Sequence, residues 1–176
     1  MKQLFVFLLF TTCAIGQQLR VDSANSYITY EASHPVHDWS GTTGEVQGVI
    51  LLKDERPSRV AIVAPVASFD SKNSNRDAHA IEVLDALSFP KVSFYSDSIS
   101  LQDNDLSLVG KINFHGVSVP LETTVKWVKE KESWILDAAF SITPSQFDIR
   151  LPSFMLVKMR DNIQIYVHLE LRTFVP

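Results

Sequence analysis

His34, His37 and Asp38 lie close together in the chain, and His79 follows in a second cluster with Asn75, Arg76 and Asp77. Imidazole and carboxylate are zinc donors, but a zinc site needs three or four of them converging. His34 and His37 are three apart, so on a straight strand they point to opposite faces; sharing an ion requires a turn at Pro35. That density falls short of a dedicated site, and no metal is expected. Histidines hydrogen-bonded into the fold are the plainer reading, and contact with a ligand's polar group, which would make binding pH-sensitive, is the other. In the second cluster, Arg76 and the free N–H groups of a helix start could meet an anionic or carbonyl group. The competing reading is an Arg–Asp pair that anchors the helix. The chain has no Gly-x-Ser-x-Gly elbow and no phosphate-binding Gly-rich loop, and only six glycines in all. Asp70 and Asp77 do not read as an acid–base pair. An enzyme would have to bring His34, Arg76 and His79 together in a pocket; with no recognised catalytic set, the chain is expected to bind rather than to convert.

The elements that must position these residues are strands. Val117, Val119, Leu121, Thr123, Val125 and Trp127 alternate with polar neighbours, as do Trp134 to Ile142, Ile163 to Leu171 and Leu106 to Phe114. Such rows put an apolar face on one side of a strand and a polar face on the other. Weaker rows cover Ile28 to Ala32, residues 44–52, Val60 to Phe69 and Val92 to Ile99, for eight strands. Turn signals fall at Asp54-Glu55-Arg56-Pro57, Asp103-Asn104-Asp105, His115-Gly116 and Lys129-Glu130-Lys131-Glu132. Short links imply antiparallel hairpins. One segment differs: Ile81, Leu84 and Leu87 recur three apart, Ser74 with Asp77 resembles a capping box, and Pro90 stops the run. A short helix over about 77–87 is therefore expected between the third and fourth strands. Pro144 to Arg160 reads as an irregular loop. The class is all-β; eight antiparallel strands fit a closed barrel or a two-sheet sandwich.

Lys2, the apolar run Leu4 to Phe10 and the small residues around Ala14-Ile15-Gly16 have the layout of a secretory signal peptide over residues 1–16. The run is too short for a bilayer span, which needs ~20 residues. Removing it leaves 160 of the 176 residues, one domain over 17–176, and takes the net charge from −4 to about −5. Cys13 leaves too, so the mature chain has no disulfide and no thiolate. The residues before Cys13 are not a lipobox. An acidic chain without a basic cluster is a poor nucleic-acid binder.

Several pieces taken together carry a family likeness. They are Val21-Asp22 with Ser26 to Tyr30 and His34; Gly44 to Gly48; Ser68-Phe69-Asp70 with Asn75 to His79; Phe89 to Phe94; Gly110 to Gly116 with Val119-Pro120-Leu121; and Ser145 to Ile149. In order and spacing the mature chain resembles the YceI-like polyisoprenoid-binding family. The resemblance implies a lipocalin-like extended barrel of eight antiparallel strands with an inserted helix, export to the periplasm or beyond, and a lipid held in an apolar lumen. The chain departs from the family pattern at 143–149. Thr143-Pro144 stands where an Arg is usual, and Asp148-Ile149 replaces a Gly-containing end, a change that bears on the pocket mouth.

Ile28, Tyr30, Phe69, Phe94, Phe114, Trp127 and Phe140 are the candidate lumen residues. Taken singly each could fill a core; taken with the resemblance they line a cavity. His34, Asn75, Arg76 and His79 are the candidates for the mouth and a ligand head group. The expected ligand is a polyisoprenoid, an isoprenoid quinone or a fatty amphiphile, with no cofactor besides it. A buried methylene is worth ~0.8 kcal/mol, so ten carbons give about 8 kcal/mol gross. That is micromolar binding or better before ordering costs. A homodimer stays open. A competing barrel, eight-stranded and set in an outer membrane, would need the apolar rows on the outside; the charged polar faces and the inserted helix speak against it.

Overall fold

The computed structural model describes residues 17–102, 105–154 and 156–174. The signal peptide expected at 1–16, with Cys13, and the turn expected at Asp103-Asn104 lie outside them.

The alternating rows become strands of one closed sheet. In chain order these are β1 (Gln18–Val21), β2 (Tyr27–His34), β3 (His37–Thr43), β4 (Gln47–Lys53), β5 (Arg56–Pro65) and β6 (Lys91–Gln102). They continue with β7 (Asp105–Phe114), β8 (Val117–Glu130) and β9 (Ser133–Ile142), then the short β10 (Ser153–Phe154) and β11 (Val157–Lys158), and β12 (Ile163–Thr173). All pairings are antiparallel, and β1 pairs with both β4 and β12, which closes the ring. β1 and β2 share one edge of β12, at Leu171–Thr173 and Ile163–His168, so they act as a single stave broken at Asp22 to Ser26. Side chains satisfy the backbone at the break: the Asp22 carboxylate accepts from Ala24 N–H within the turn at 3.1 Å, and Ser26 Oγ accepts from Glu170 N–H of β12 at 3.0 Å. β3 and β4 likewise form one stave, against β2 and β1. Counted by staves, the molecule is an eight-stranded antiparallel barrel, the closed alternative of the two expected. β1 and β3 were absent from the expected rows.

The inside of the barrel is solid at one end. Leu19, Ile50, Leu106, Leu169 and Leu171 are at most 1% exposed there, and the cluster they join includes Trp127. Trp127 stacks on Trp134 with centroids 4.8 Å apart. Each such side chain contributes roughly 1.5–3 kcal/mol of burial. Outward positions of the same strands carry Lys111, Glu122 and Lys126, all exposed. A charged outer wall around an apolar inside is the reverse of a lipid-facing barrel.

The opposite end is built differently. Here lie the β2–β3 turn, the His115-Gly116 turn, an insertion between β5 and β6, and the segment 143–162. The insertion holds α1 (Ser74–Val83), so the helix stands about four residues earlier than the 77–87 expected. Asn73, not Ser74, is the cap, accepting from Arg76 N–H at 3.1 Å. Asp77 does not close a capping box; its carboxylate accepts from Ser71 Oγ at 2.6 Å and Ser71 N–H at 3.1 Å. Asp85, at φ 42°, follows the helix end well before Pro90, and Leu87 is left 94% exposed. The described residues of the segment 144–160 are not irregular throughout. They include a 3₁₀ turn at Pro144–Phe147 and the β10–β11 hairpin. His115 Nδ1 lies 2.9 Å from the Phe147 carbonyl oxygen, and Phe147 is buried against Phe114.

Candidate functional site

Above the packed floor the barrel is hollow. A cavity of about 300 Å³ is walled by the inward rows of the strands and covered by α1 and the segment 144–159. Its floor is made by Val60, Leu108, Val125, Leu136 and Leu169. Ile28, Tyr30, Phe69, Phe94, Phe114 and Phe140 all line it. Trp127, expected beside them, does not: it lies on the same face of β8 as Leu121, Thr123 and Val125 but further down, where the barrel is already filled.

Among the described residues, charge enters this space only at the helix end, through Arg76, Asp77 and His79. Tyr30 and Trp39 line it too. The Tyr30 ring lies across Gly41, its partner on β3; a Cβ at Gly41 would come within 2.5 Å of that ring, so only glycine leaves the space. Tyr30 also meets Phe69, with centroids 5.8 Å apart. Burial and the nearby Asp77 carboxylate raise the Tyr30 pKa above its ordinary 10.0, while Arg76 and a hydrogen bond with Trp39 pull the other way. The phenol is therefore neutral at physiological pH. Arg76 lies over the Trp39 ring, 5.6 Å from its centroid, and among the described residues it pairs with no carboxylate. The Arg–Asp anchor weighed from the sequence is thus replaced: Asp77 holds the Ser71 loop, and Arg76 faces the cavity.

Two of the four residues expected at the mouth lie elsewhere. His34 is 5% exposed and outside the cavity lining. Its Nδ1 accepts from Val36 N–H at 3.2 Å, so Nε2 donates to the Val157 carbonyl at 2.9 Å. It ties the β2–β3 turn to β11. Asn75 is exposed on the outer side of α1. The chain does turn at Pro35-Val36 and brings the His34 and His37 rings to 5.8 Å. Asp38 is exposed on β3, and His79 is 3.7 Å from Glu82. Among the described residues no three His, Cys, Asp or Glu gather into a group that could hold a metal. No described helix is long and apolar enough to cross a membrane.

The comparison with known families matches this geometry. The YceI-like domain matches residues 19–171. The chain belongs to the YceI-like family. Protein YceI of Salmonella agona is 26% identical over 130 residues, covering 69% of this chain and 68% of that one. Among solved structures, Burkholderia cenocepacia BcnA superposes with a TM-score of 0.77 at 19% identity, over 85% of this chain and 98% of its own. A polyisoprenoid binding domain from Saccharophagus degradans, implicated in plant cell wall breakdown, gives 0.72 at 8% identity, over 89% and 98%.

The YceI-like barrel also uses residues that the alternating rows did not point to. Trp39 sits on β3, whose polar His-Asp-Trp-Ser-Gly-Thr-Thr stretch hides its alternation. Ile149, Leu151 and Met159 reach the cavity from the segment after β9. Pro144 and Ile149, at the point where this chain departs from the family pattern, are both part of the cavity wall.

Proposed function

We propose that this YceI-like barrel holds the hydrocarbon of one lipid in its lumen and does no chemistry on it. The observation that carries the reading is an apolar chamber whose charged groups, among the described residues, stand at the helix end. Hydrocarbon gains about 25 cal/mol per Å² on leaving water, so a tail in such a chamber needs no polar anchor to bind. A cavity of about 300 Å³ has room for roughly ten groups of water size, at about 30 Å³ each. The tail of a fatty amphiphile fits that space, as does the head-proximal part of a polyisoprenoid or isoprenoid quinone. The polyisoprenoid-binding description of the Saccharophagus domain, which shares this fold, supports the same class of ligand.

The polar end suits a head group. Arg76 offers a cation that pairs with no carboxylate among the described residues, Tyr30 a neutral phenol, and His79 an imidazole. We assign the chain a carrier or sequestering role outside the cytoplasm, a reading supported by the layout of residues 1–16 and by the family likeness. The test is mass spectrometry of an organic extract from protein purified without detergent. The expected result is a long-chain lipid in near-stoichiometric amount. Protein that carries none, and that takes up none when lipid is supplied, overturns the reading.

A further inference from the structure

From Ile149 to Arg160 the chain carries Arg150, Lys158 and Arg160 and no carboxylate, in a chain whose net charge is −4. This segment holds the β10–β11 hairpin. Beyond its covered base, Leu156 is 101% exposed with φ 67°, Val157 is 43% exposed, and Val36 in the β2–β3 turn is 64% exposed. His34 binds the Val157 carbonyl and the Val36 N–H through its two nitrogens, which ties the β2–β3 turn to the hairpin across the imidazole. Arg160 N–H donates to the Ser33 carbonyl at 2.9 Å and fixes the same junction. The result is an apolar hairpin tip at Leu156 and Val157 with three exposed cations along its segment, and an exposed Val36 in the turn tied to it. Asp148 and Asp161 flank the segment, and Glu31 and Asp38 stand on the neighbouring hairpin; Asp161 is turned to Ser145 N–H at 3.0 Å. Behind the tip, Leu151, Pro152 and Met159 of the same segment form part of the cavity wall.

We propose that this tip docks on an anionic phospholipid surface and brings the cavity mouth to the membrane. The proposal rests on the lumen reading above, because it explains how a water-insoluble tail passes between bilayer and barrel. An apolar tip with a cationic collar suits the interface: the side chains enter the headgroup–acyl boundary and the cations meet lipid phosphates. A second copy of the chain is the poorer occupant. A two-fold contact would set the same three cations against themselves.

The test is flotation of the purified protein with vesicles of phosphatidylglycerol and phosphatidylethanolamine, compared with phosphatidylcholine alone. The wild type is expected to float with the anionic vesicles and to be released by salt. Leu156→Asp should lose flotation, and Lys158→Glu with Arg160→Glu should lower the bound fraction about fivefold or more per cation removed. Both variants should keep the wild-type melting temperature and uptake of an apolar fluorescent probe. Wild-type flotation of Leu156→Asp, or equal binding to phosphatidylcholine, overturns the docking. So does a dimer that Leu156→Asp splits while vesicle binding is unchanged. Probe uptake that fails in the wild type while flotation persists overturns the lumen reading and leaves the docking standing.

Discussion

The Arg76 guanidinium is held over the Trp39 ring, 5.6 Å from its centroid, rather than against a carboxylate. An arginine on an aromatic face keeps its hydrogen-bonding edge free. At the lip of an apolar cavity, that edge is available to a ligand. Arg76→Met should therefore weaken binding of a fatty acid about tenfold, the worth of a charge-assisted hydrogen bond partly open to solvent. Binding of the alcohol of the same chain length should change much less. Competition against a lumen probe measures both, and equal losses would mean that Arg76 shapes the cavity without meeting a head group.

The hollow and the solid halves of the barrel should respond oppositely to mutation. Ala138 on β9 lines the cavity. Ala138→Phe should fill part of the lumen and cut tail binding tenfold or more with little change in stability. Trp127→Ala, in the packed floor, should cost about 3–5 kcal/mol, as large core truncations do. Urea denaturation and probe titration of both variants separate the two effects. A tail affinity that survives Ala138→Phe would mean that the tail binds elsewhere.

The contrast between Ala138 and Trp127 also marks how far the sequence could be read. Period-2 alternation reports the face of a strand, and it found the inward rows of β7, β8, β9 and β12. It carries no information on height along the barrel axis, so Trp127 and Leu121 look alike in the sequence although one sits in the floor and the other beside the cavity. β1 was too short to show a period, and β3 hid its own because its inward positions include Trp39 opposite Ala32 and Gly41 beneath the Tyr30 ring. The helix was displaced because two side chains compete for one cap: Asn73 takes Arg76 N–H, which leaves the Ser74–Asp77 pair without the role its spacing suggests. His34 was legible as a polar residue near a rim, but its true partner, the Val157 carbonyl, is 123 residues away.

His34 should matter for stability. His34→Leu leaves the Val157 carbonyl and the Val36 N–H without their imidazole, at a cost of about 1–3 kcal/mol. Chemical denaturation measures the loss, and amide exchange at Val36 should accelerate. An unchanged denaturation midpoint would refute the tie.

Tyr30 gives a pH signature. Its pKa is raised in the fold, chiefly by burial and then by Asp77. A group whose folded pKa lies above the unfolded value stabilises fully below the unfolded value and loses that contribution as pH rises through the folded one. Stability should thus fall from about pH 10 upward, and Tyr30→Phe should fall less steeply over the same range. Urea midpoints of both proteins between neutral and alkaline pH measure the difference; parallel curves would contradict it.

The most direct test of the lumen is calorimetric titration with a series of straight-chain fatty acids of increasing length. Each added methylene should tighten binding about fourfold, from ~0.8 kcal/mol apiece, until the tail fills the cavity at roughly ten carbons and the gain levels off. An affinity that does not change with chain length, or no binding at any length, would contradict a barrel built around hydrocarbon.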